Sequence, residues 1–498
     1  MSEVLFGQSY YLRFDPKEWA TMMPYPPLGT LYAASYLRAQ GYDVALFDSM
    51  LAESEDEWTA ALDAHRPRFA VIYEDSFNYL SKMCLTRMRE AAFRMIPAAK
   101  ARGCYVIISG SDATDHQEKY FAAGADAIVL GEGEKTLAEL LDCLTGRQEG
   151  DPAAVVGVST PAAPSHTKRD FIRALDDLPF PAWDLVDIAK YKAIWHEHHG
   201  YYSMNLVTTR GCPFHCNWCA KPIYGQRYNV RSPESVAAEV RWLKDNFAPD
   251  HIWFADDIFG LKPNWIPKFA DEIERLDAQI PFKCLLRVDL IKEGVPEALK
   301  RAGCDIVWVG AESGAQKVLD AMDKGTKVEQ IYAAARNLHW VGIRIGFFLQ
   351  FGYPGEVRAD IDKTLQMVRD CNPDDIGISV SYPLPGTRFY DRVQAQLGAK
   401  RNWVNSQDLD MMFQGAYVPE FYRTLYSVVH HEFRMRKARD RAVPALRRPW
   451  TLRPTHARAL AAIPRHWVGL QVRRAQLNRL ERVKRPDDPV IPLMPVSG

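Results

Sequence analysis

Apolar and amphipathic stretches alternate regularly over the first 160 residues. Each short apolar run has the length of a buried strand, and the longer stretches between runs carry apolar residues at helical spacing. The strand-like runs are 43–47, 69–74 and 104–110, and the helical stretches include 28–37 and 87–102. Strands that alternate with single helices pair in parallel through right-handed crossovers. The pattern predicts an α/β fold that opens with a doubly wound parallel sheet over residues 1–160.

A second series of strands and helices follows. Residues 161–203 are rich in proline and show little periodicity, which is typical of a linker between domains. Six further apolar runs come next, at 205–210, 251–256, 282–288, 305–312, 343–352 and 375–383. Six parallel strands with outer helices form a partial (β/α)6 barrel of the TIM type, which we expect over residues 204–400. Functional side chains in such a barrel belong at the carboxyl ends of the strands.

Residues 401–498 are predicted to form a basic helical C-terminal domain. Residues 432–485 contain 16 Lys and Arg against 3 Asp and Glu, a local charge of +13 in a chain whose formal net charge is zero. The pattern favours a solvated helical face that covers the barrel mouth. The alternative is a surface for an anionic substrate or a membrane, since arginines beside aromatic rings bind carboxylate, phosphate and lipid headgroups.

Composition places the chain among globular proteins, because 47% of its 498 residues are hydrophobic and 25% are charged. The first residues lack the pattern of a signal peptide, and no apolar run approaches the length of about 18 residues that a membrane span needs. We therefore expect a cytoplasmic protein without a transmembrane segment. Six of the nine cysteines are expected to pack singly as small hydrophobic residues. They are Cys84, Cys104, Cys143, Cys284, Cys304 and Cys371.

The other three cysteines form a cluster directly after the first predicted barrel strand. Cys212, Cys216 and Cys219 have the spacing C-x3-C-x2-C, with His215 inside the loop. Structural zinc needs four ligands in paired knuckles, and no second C-x2-C or H-x3-H pair accompanies this cluster. Three thiolates would leave one iron of a 4Fe-4S cluster unligated, and that iron can bind a substrate-like molecule. A zinc site and three structural thiols are the alternatives.

With Trp218 before the last cysteine, the motif resembles the hallmark of the radical S-adenosylmethionine (radical SAM) enzymes. The resemblance covers the motif, its position and the six-strand pattern. It implies that the three thiolates hold a 4Fe-4S cluster, beside Trp218, and that the free iron binds the amino and carboxylate groups of S-adenosylmethionine. One electron from an external donor of the flavodoxin or ferredoxin type would then cleave the sulfonium to a 5′-deoxyadenosyl radical.

The resemblance extends to residues at the ends of the predicted barrel strands. Asp256 and Asp257 follow the second strand, where an acidic segment would receive the methionine ammonium group. Arg287, after the third strand, would take the methionine carboxylate as a fork-shaped donor. Glu312, after the fourth strand, would contact the methionine or the ribose. Asp257 and Glu312 could instead serve only as helix caps.

The N-terminal sheet resembles the Rossmann-like cobalamin-binding domain of cobalamin-dependent radical SAM enzymes. Two of its turns would cradle the nucleotide tail, because small residues let the backbone approach a bulky ligand. The residues of these turns are Ser109, Gly110, Ser111, Gly131, Glu132 and Gly133. We interpret His65 as an incidental surface residue, since Arg68 replaces the glycine of the cobalamin-carrier motif D-x-H-x-x-G. Residues 73–82 would then face the lower side of cobalamin without a histidine, which favours methyl transfer.

These resemblances predict a cobalamin-dependent radical SAM methyltransferase that methylates an unactivated carbon of a small molecule. One S-adenosylmethionine would methylate cobalamin, and a second would yield the radical that abstracts hydrogen from the substrate. A second hypothesis keeps the cofactors but forms a ring without methyl transfer, as in the anaerobic magnesium-protoporphyrin monomethyl ester cyclases, which the layout also resembles. A third is a zinc-containing protein whose basic tail binds nucleic acid.

Overall fold

Two parallel sheets follow one another along the chain, and a pair of long helices comes after them. The computed structural model describes residues 2–83, 85–398, 402–407, 409–446, 450 and 453–483. Cys84 lies outside the described residues, as does segment 484–498 of the predicted basic domain. Within the described part of the chain, no helix is both long and apolar enough to cross a membrane.

The N-terminal sheet has six strands in the order β2-β1-β3-β4-β5-β6. They are β1 Val4–Gly7, β2 Val44–Leu46, β3 Phe69–Tyr73, β4 Tyr105–Ser109, β5 Ala127–Val129 and β6 Val158–Ser159. The helices are α1 Pro16–Thr21, α2 Leu28–Ala39, α3 Asp56–His65, α4 Tyr79–Met83, α5 Thr86–Lys100, α6 Ser111–Asp115, α7 Gln117–Ala122 and α8 Glu134–Thr145. All pairings are parallel except that of β5 with β6. The chain adds β2 on one side of β1 and β3 to β6 on the other, so the winding direction of the sheet reverses between β1 and β3. A ligand crevice is expected at this topological switch point.

The second sheet has six parallel strands in the order β14-β13-β12-β11-β10-β7, and it curls into a half barrel. Its strands are β7 Ser203–Leu206, β10 His251–Phe254, β11 Phe282–Leu286, β12 Cys304–Glu312, β13 Arg344–Phe351 and β14 Asp375–Val380. Its helices are α10 Pro233–Phe247, α11 Trp265–Arg275, α12 Val295–Ala302, α13 Gln316–Ala321, α14 Val328–Trp340 and α15 Arg358–Cys371. Alternate side chains pack under these helices, as Phe282, Cys284 and Leu286 of β11 do. The other side chains line the inner face.

The connection between the sheets contains a helix that the sequence pattern did not predict. This helix, α9, spans Ile188–His199 and is capped by Asp187. Tyr191 and Trp195 lie four positions apart on its buried face, and Trp195 Nε1 donates to the Pro24 carbonyl oxygen at 2.8 Å. Sequence reasoning missed this helix because two buried aromatic residues among histidines and lysines give only a weak periodic signal. The linker over residues 161–203 stays a prediction.

The first predicted barrel strand, 205–210, is divided in the structure. β7 ends at Leu206, and β8 (Thr209–Arg210) pairs antiparallel with β9 (Asn229–Val230). Asp256 accepts hydrogen bonds from the backbone N–H groups of Thr208 in the intervening turn and of Thr209 at the start of β8. The division directs the chain after β8 across the mouth of the half barrel.

The C-terminal region is helical, with α16 Arg388–Val393, α17 Pro419–Leu446 and α18 Pro454–Leu480. α17 and α18 pack along one another. One continuous hydrophobic cluster includes Leu31 and Phe77 of the N-terminal domain together with Val236 of the half barrel. Because both sheets share this core, the predicted domain limits at residues 160, 203 and 400 stay a prediction.

Candidate active site

The three clustered cysteines lie on the loop between β8 and β9. Their thiols are half-buried, and none of them forms a disulfide. Burial raises the pKa of Cys219 to about 12, and the neighbouring Asp257, Cys216 and Cys212 add to the rise. The three thiols therefore face a common space, in which a bound cation would reverse the shift and favour the thiolates.

The donor set of this loop fits an iron–sulfur cluster. Within the described residues, no three His, Cys, Asp or Glu side chains meet closely enough to hold a single metal ion. Zinc needs such convergence, whereas a cluster spreads its thiolate ligands over separate irons. His215 is exposed and does not complete a fourth position. The loop thus offers three corners of a cluster, and the zinc alternative gains no support.

Asn217, between the second and third cysteines, fixes the loop to the half barrel. Its backbone N–H donates to the Met322 carbonyl oxygen at 3.0 Å, and its side-chain NH2 group donates to that of Ala321 at 2.8 Å. The Tyr353 hydroxyl donates to Asn217 Oδ1 at 2.9 Å, and the Phe389 N–H donates to its carbonyl oxygen at 3.0 Å. Sequence reasoning missed Asn217, for which the sole signal is an amide inside the cysteine motif.

Arg287 faces the cysteine loop, but its fork is already occupied. Nη1 lies 3.9 Å from Cys216 Sγ, and the guanidinium lies 3.6 Å from the centre of the Phe214 ring. Nε and Nη2 donate to the Asp289 carboxylate at 3.0 and 3.2 Å, and Nη2 also donates to the Lys324 carbonyl oxygen. The predicted contact with the methionine carboxylate is not supported by this arrangement. Arg287 instead places a positive charge beside Cys216.

Glu312 stands at a bulge at the end of β12. The register with β13 shifts between Gly310 and Glu312, and Glu312 has a φ of 56°, in the left-handed region that non-glycine residues rarely adopt. Lys324 Nζ donates to Glu312 Oε1 at 2.9 Å, and both side chains are buried. Burial lowers the pKa of Lys324, but the Glu312 carboxylate, together with Cys216, outweighs burial, so the pKa is raised overall. Ala315 is the N-cap of α13, so Glu312 is not a helix cap.

Trp218 and Glu312 lie on the same side of the cysteine loop. The Lys324 ammonium group, which is bonded to Glu312, lies 6.0 Å from the centre of the Trp218 ring. Trp218 Nε1 is buried without a hydrogen-bond partner among the described residues. A ligand at the loop that accepts a hydrogen bond would satisfy this donor.

Asp256 and Asp257 are adjacent in sequence but have different surroundings. Asp256 is buried, and its Oδ1 accepts from the backbone N–H groups of Thr208 and Thr209 at 2.7 and 2.9 Å. Its Oδ2 accepts from the Thr208 hydroxyl at 2.6 Å, so both oxygens support the turn before the cysteine loop. Of the two carboxylates, Asp257 is therefore the candidate that remains for the predicted contact with the methionine ammonium group. Asp257 is exposed beside the thiols, and Asn264, not Asp257, is the N-cap of α11.

Polar side chains line the switch point between β1 and β3. The Ser9 hydroxyl donates to Glu74 at 2.5 Å, and burial raises the pKa of Glu74 to about 7. Gln8 is fully buried, and neither atom of its amide group has a hydrogen-bond partner among the described residues. A buried amide without partners is the feature expected where a ligand completes a site. Sequence reasoning missed Gln8, because nothing in the local pattern distinguishes it.

The turns after β4 and β5 differ in what covers them. In the first turn, Ser109 and Ser111 are buried, and a Cβ atom at Gly110 would come within 2.8 Å of the Glu74 side chain. In the second turn, the linker covers Gly131 with the side chain of Lys168, and a Cβ at Gly133 would meet the Tyr73 ring. Both glycines therefore lie close to other side chains of the protein, and the cobalamin contacts predicted for Ser109, Gly110, Ser111, Gly131 and Gly133 stay predictions.

Glu132, in the second turn, forms a buried ion pair between the two domains. Its Oε1 accepts from Arg210 Nη1 at 2.5 Å, and its Oε2 accepts from the Ile172 N–H. Arg210 Nη2 lies 2.7 Å from the Glu134 carboxylate. Arg210 precedes Cys212 by two positions, so this pair ties the base of the cysteine loop to the N-terminal sheet. The cobalamin contact predicted for Glu132 is not supported.

Tyr79 reaches from the N-terminal domain toward the half barrel. It begins α4, in the segment that was predicted to face cobalamin. Burial raises the pKa of Tyr79, and the neighbouring Tyr382, Cys219 and Glu312 add to the rise. Its side chain is 48% exposed. Tyr79 of the N-terminal domain therefore lies near Cys219 and Glu312 of the half barrel.

The thiols of the half barrel and the crevice of the N-terminal sheet define a radical SAM enzyme with a B12-binding domain. The family model for the radical SAM superfamily matches residues 206–368, and the model for the B12 binding domain matches residues 22–141. The chain therefore contains a radical SAM domain and, before it, a B12-binding domain. The predicted fold class and the cofactors 4Fe-4S cluster, S-adenosylmethionine and cobalamin are confirmed, whereas the individual contact residues stay predictions.

Among curated proteins, the chain is 26% identical over 441 residues to an uncharacterized methyltransferase of Pyrococcus horikoshii, covering 83% of this chain and 92% of the relative. It is 27% identical over 401 residues to the anaerobic magnesium-protoporphyrin IX monomethyl ester cyclase of Rubrivivax gelatinosus, covering 76% and 67%. Two solved structures share the fold. They are OxsB (TM-score 0.70, 18% identity, 97% of this chain and 74% of that one) and TsrM of Kitasatospora setae (0.65, 19%, 81% and 79%).

Proposed function

We propose that the protein transfers a methyl group to a carbon atom of a small molecule. The observation that carries the proposal is that Tyr79 of the N-terminal domain lies near Cys219 and Glu312 of the half barrel. Residues for the radical-forming site and residues for the cobalamin site therefore face one space. A methyl group can pass to a substrate only if both sites reach the same substrate position.

The half barrel supplies the radical-forming side of the proposed site. Cys212, Cys216 and Cys219 would hold the cluster, and Arg287 keeps a positive charge beside it. Asp257 and Glu312 would take the polar groups of S-adenosylmethionine, with the Lys324 ammonium fixing the Glu312 carboxylate. When bound, the cluster and S-adenosylmethionine supply one-electron cleavage, and cobalamin supplies a transferable methyl group.

The N-terminal sheet supplies the cobalamin side. Ser109, Gly110 and Ser111 would receive the nucleotide tail at the end of β4, and Gln8 would donate to and accept from polar groups of the cofactor at the switch point. The segment 73–82 contains no histidine. Tyr79 is the residue of this segment that we place nearest the reacting groups.

The inner face of the half barrel supports a substrate with an apolar portion. Trp308 and Phe348 stack there with ring centres 4.7 Å apart, and Phe348 is 39% exposed. Gly346 is required beneath them, because a Cβ at that position would come within 2.4 Å of the Trp308 ring. The substrate would rest on this aromatic floor. An external one-electron donor of the flavodoxin or ferredoxin type would complete the system.

The test is anaerobic incubation of the reconstituted protein with hydroxocobalamin, a reductant and S-adenosylmethionine that carries a deuterated methyl group. Mass spectrometry should detect S-adenosylhomocysteine, 5′-deoxyadenosine and deuterated methylcobalamin. Cys216→Ala should lose 5′-deoxyadenosine, while Cys371→Ala, a buried thiol far from the loop in sequence, should retain all three products. The absence of labelled methylcobalamin from active protein would contradict methyl transfer and favour the cyclase hypothesis.

A further inference from the structure

α18 packs on the rest of the molecule with only one of its sides. Its buried residues are Ala459, Leu470 and Leu477. Arg474 pairs with Glu432 of α17 at 2.7 Å, and Glu481 after the helix pairs with Arg358 at 2.9 Å. These contacts fix which side of the helix faces away from the protein. The residues on the opposite side of α18 are therefore available to contact solvent or a partner.

The free side of α18 carries an apolar stripe. Val468 is 53% exposed and Val472 is 59% exposed, and Trp467 beside them is 54% exposed. Trp450, before the helix, is 82% exposed. We use the name apolar stripe for the exposed face formed by Ala457, Ala461, Val468, Val472 and Ala475. These positions recur at the spacing of one helical face, so the stripe is continuous.

Positive charge flanks the apolar stripe. Residues 453–483 contain seven arginines and one acidic residue, Glu481, which is already paired with Arg358. The exposed arginines of this stretch include Arg458, Arg465, Arg473, Arg479 and Arg482. The formal charge of the whole chain is zero, so this concentration is local. A solvated helix would not need exposed valine and tryptophan between its arginines.

We propose that α18 lies on the surface of an anionic lipid bilayer. The apolar stripe would enter the boundary between headgroups and acyl chains, and the flanking arginines would contact lipid phosphates. Trp467 has the amphipathic ring that favours this boundary. Duplex nucleic acid would use the arginines but not the stripe, and a second copy of the chain would bring two strongly basic faces together. An anionic bilayer is the partner that uses both features.

The test is co-sedimentation of the full-length protein with vesicles. We expect binding to phosphatidylcholine vesicles that contain about 30% phosphatidylglycerol, and little binding to pure phosphatidylcholine. Sodium chloride at about 0.5 M should weaken binding, because the arginine contacts are screened. Trp467→Ala should lower the partition coefficient by roughly tenfold through lost apolar burial. Val468→Asp with Val472→Asp should abolish sedimentation.

The matched control is Trp340→Ala, which removes a tryptophan that is 86% exposed on α14, outside the stripe. It should leave vesicle binding unchanged. Three results would overturn the proposal. The first is equal binding to both vesicle types. The second is a dimer in solution that Val472→Asp converts to a monomer. The third is binding of duplex DNA that competes with vesicle binding and is unaffected by Trp467→Ala.

Discussion

Removal of the Arg210 side-chain charge should weaken the docking of the two domains. In Arg210→Met, the Glu132 and Glu134 carboxylates lose their common partner, although each of these side chains is at most 3% exposed. Loss of one partner from a buried ion pair costs about 3–5 kcal/mol, because the remaining charge stays desolvated. The rings of Tyr32 and Tyr224, 5.4 and 5.3 Å from the guanidinium, exclude the water that could otherwise solvate the carboxylates.

Glu132→Gln should be milder than Arg210→Met. The amide oxygen at position 132 can still accept from the Ile172 N–H, and Glu134 still pairs with Arg210. We therefore expect a loss of about 1–3 kcal/mol, the cost of an imperfectly satisfied buried group. The control is Asp184→Asn, which breaks the pair with Arg38 between side chains that are 67% and 41% exposed. An exposed pair of this kind contributes about 0–1 kcal/mol.

The assay is the thermal midpoint of anaerobically purified protein, measured together with cobalamin retention on gel filtration. With about 2–4 °C per kcal/mol for a unit of 150–250 residues, Arg210→Met should lower the midpoint by roughly 6–20 °C. Asp184→Asn should lower it by a few degrees at most. If Arg210→Met shifts the midpoint no more than Asp184→Asn, the buried pair does not hold the domains together and the reasoning fails.

Two further predictions concern the site itself, and a third concerns Glu356, a buried residue after β13 whose carboxylate accepts from the Gly352 N–H at 2.6 Å. Cys216→Ala should lose iron and sulfide after anaerobic reconstitution, whereas Cys371→Ala should keep both near wild-type content by chemical analysis. Lys324→Met leaves the Glu312 carboxylate buried without its cation, so 5′-deoxyadenosine formation should fall by about 10²-fold, measured by mass spectrometry; an unchanged rate would remove Glu312 from the site. Burial raises the pKa of Glu356 from 4.5 to about 8, so the folded state binds its proton more tightly than the unfolded state. The free energy of unfolding should therefore fall as pH rises from 5 to 8, by at most about 1.4 kcal/mol per unit of pKa shift. The thermal midpoint of Glu356→Gln should not show this fall with pH.

The sequence predicted the features that depend on local order. Apolar runs of strand length separated by amphipathic stretches were sufficient for both parallel sheets, since each strand is buried by its own flanking helices. The spacing of Cys212, Cys216 and Cys219 was sufficient for the metal-binding loop. Glu312 and Asp257 were predicted as site residues because strand ends in such folds carry function, and their roles stay predictions.

The features that sequence reasoning missed depend on contacts between distant parts of the chain. Glu132 lies 78 positions from Arg210, and no local pattern pairs an acidic turn residue with an arginine so far away. Arg287 looked like a free fork, but the structure places its Nη2 against the carbonyl oxygen of Lys324, 37 positions away. Gln8 is distinguished only by its lack of partners, which is a property of the folded environment and not of the sequence.

The buried pair and the shared core bear on how a substrate enters the site. Rotation of one domain away from the other would separate Arg210 from Glu132 and open the common hydrophobic cluster, at a cost of several kcal/mol from the ion pair alone. Substrate entry that required this rotation would carry that cost. We therefore expect the two domains to stay docked during entry, so that the choice of substrate depends on the inner face of the half barrel and not on movement of whole domains.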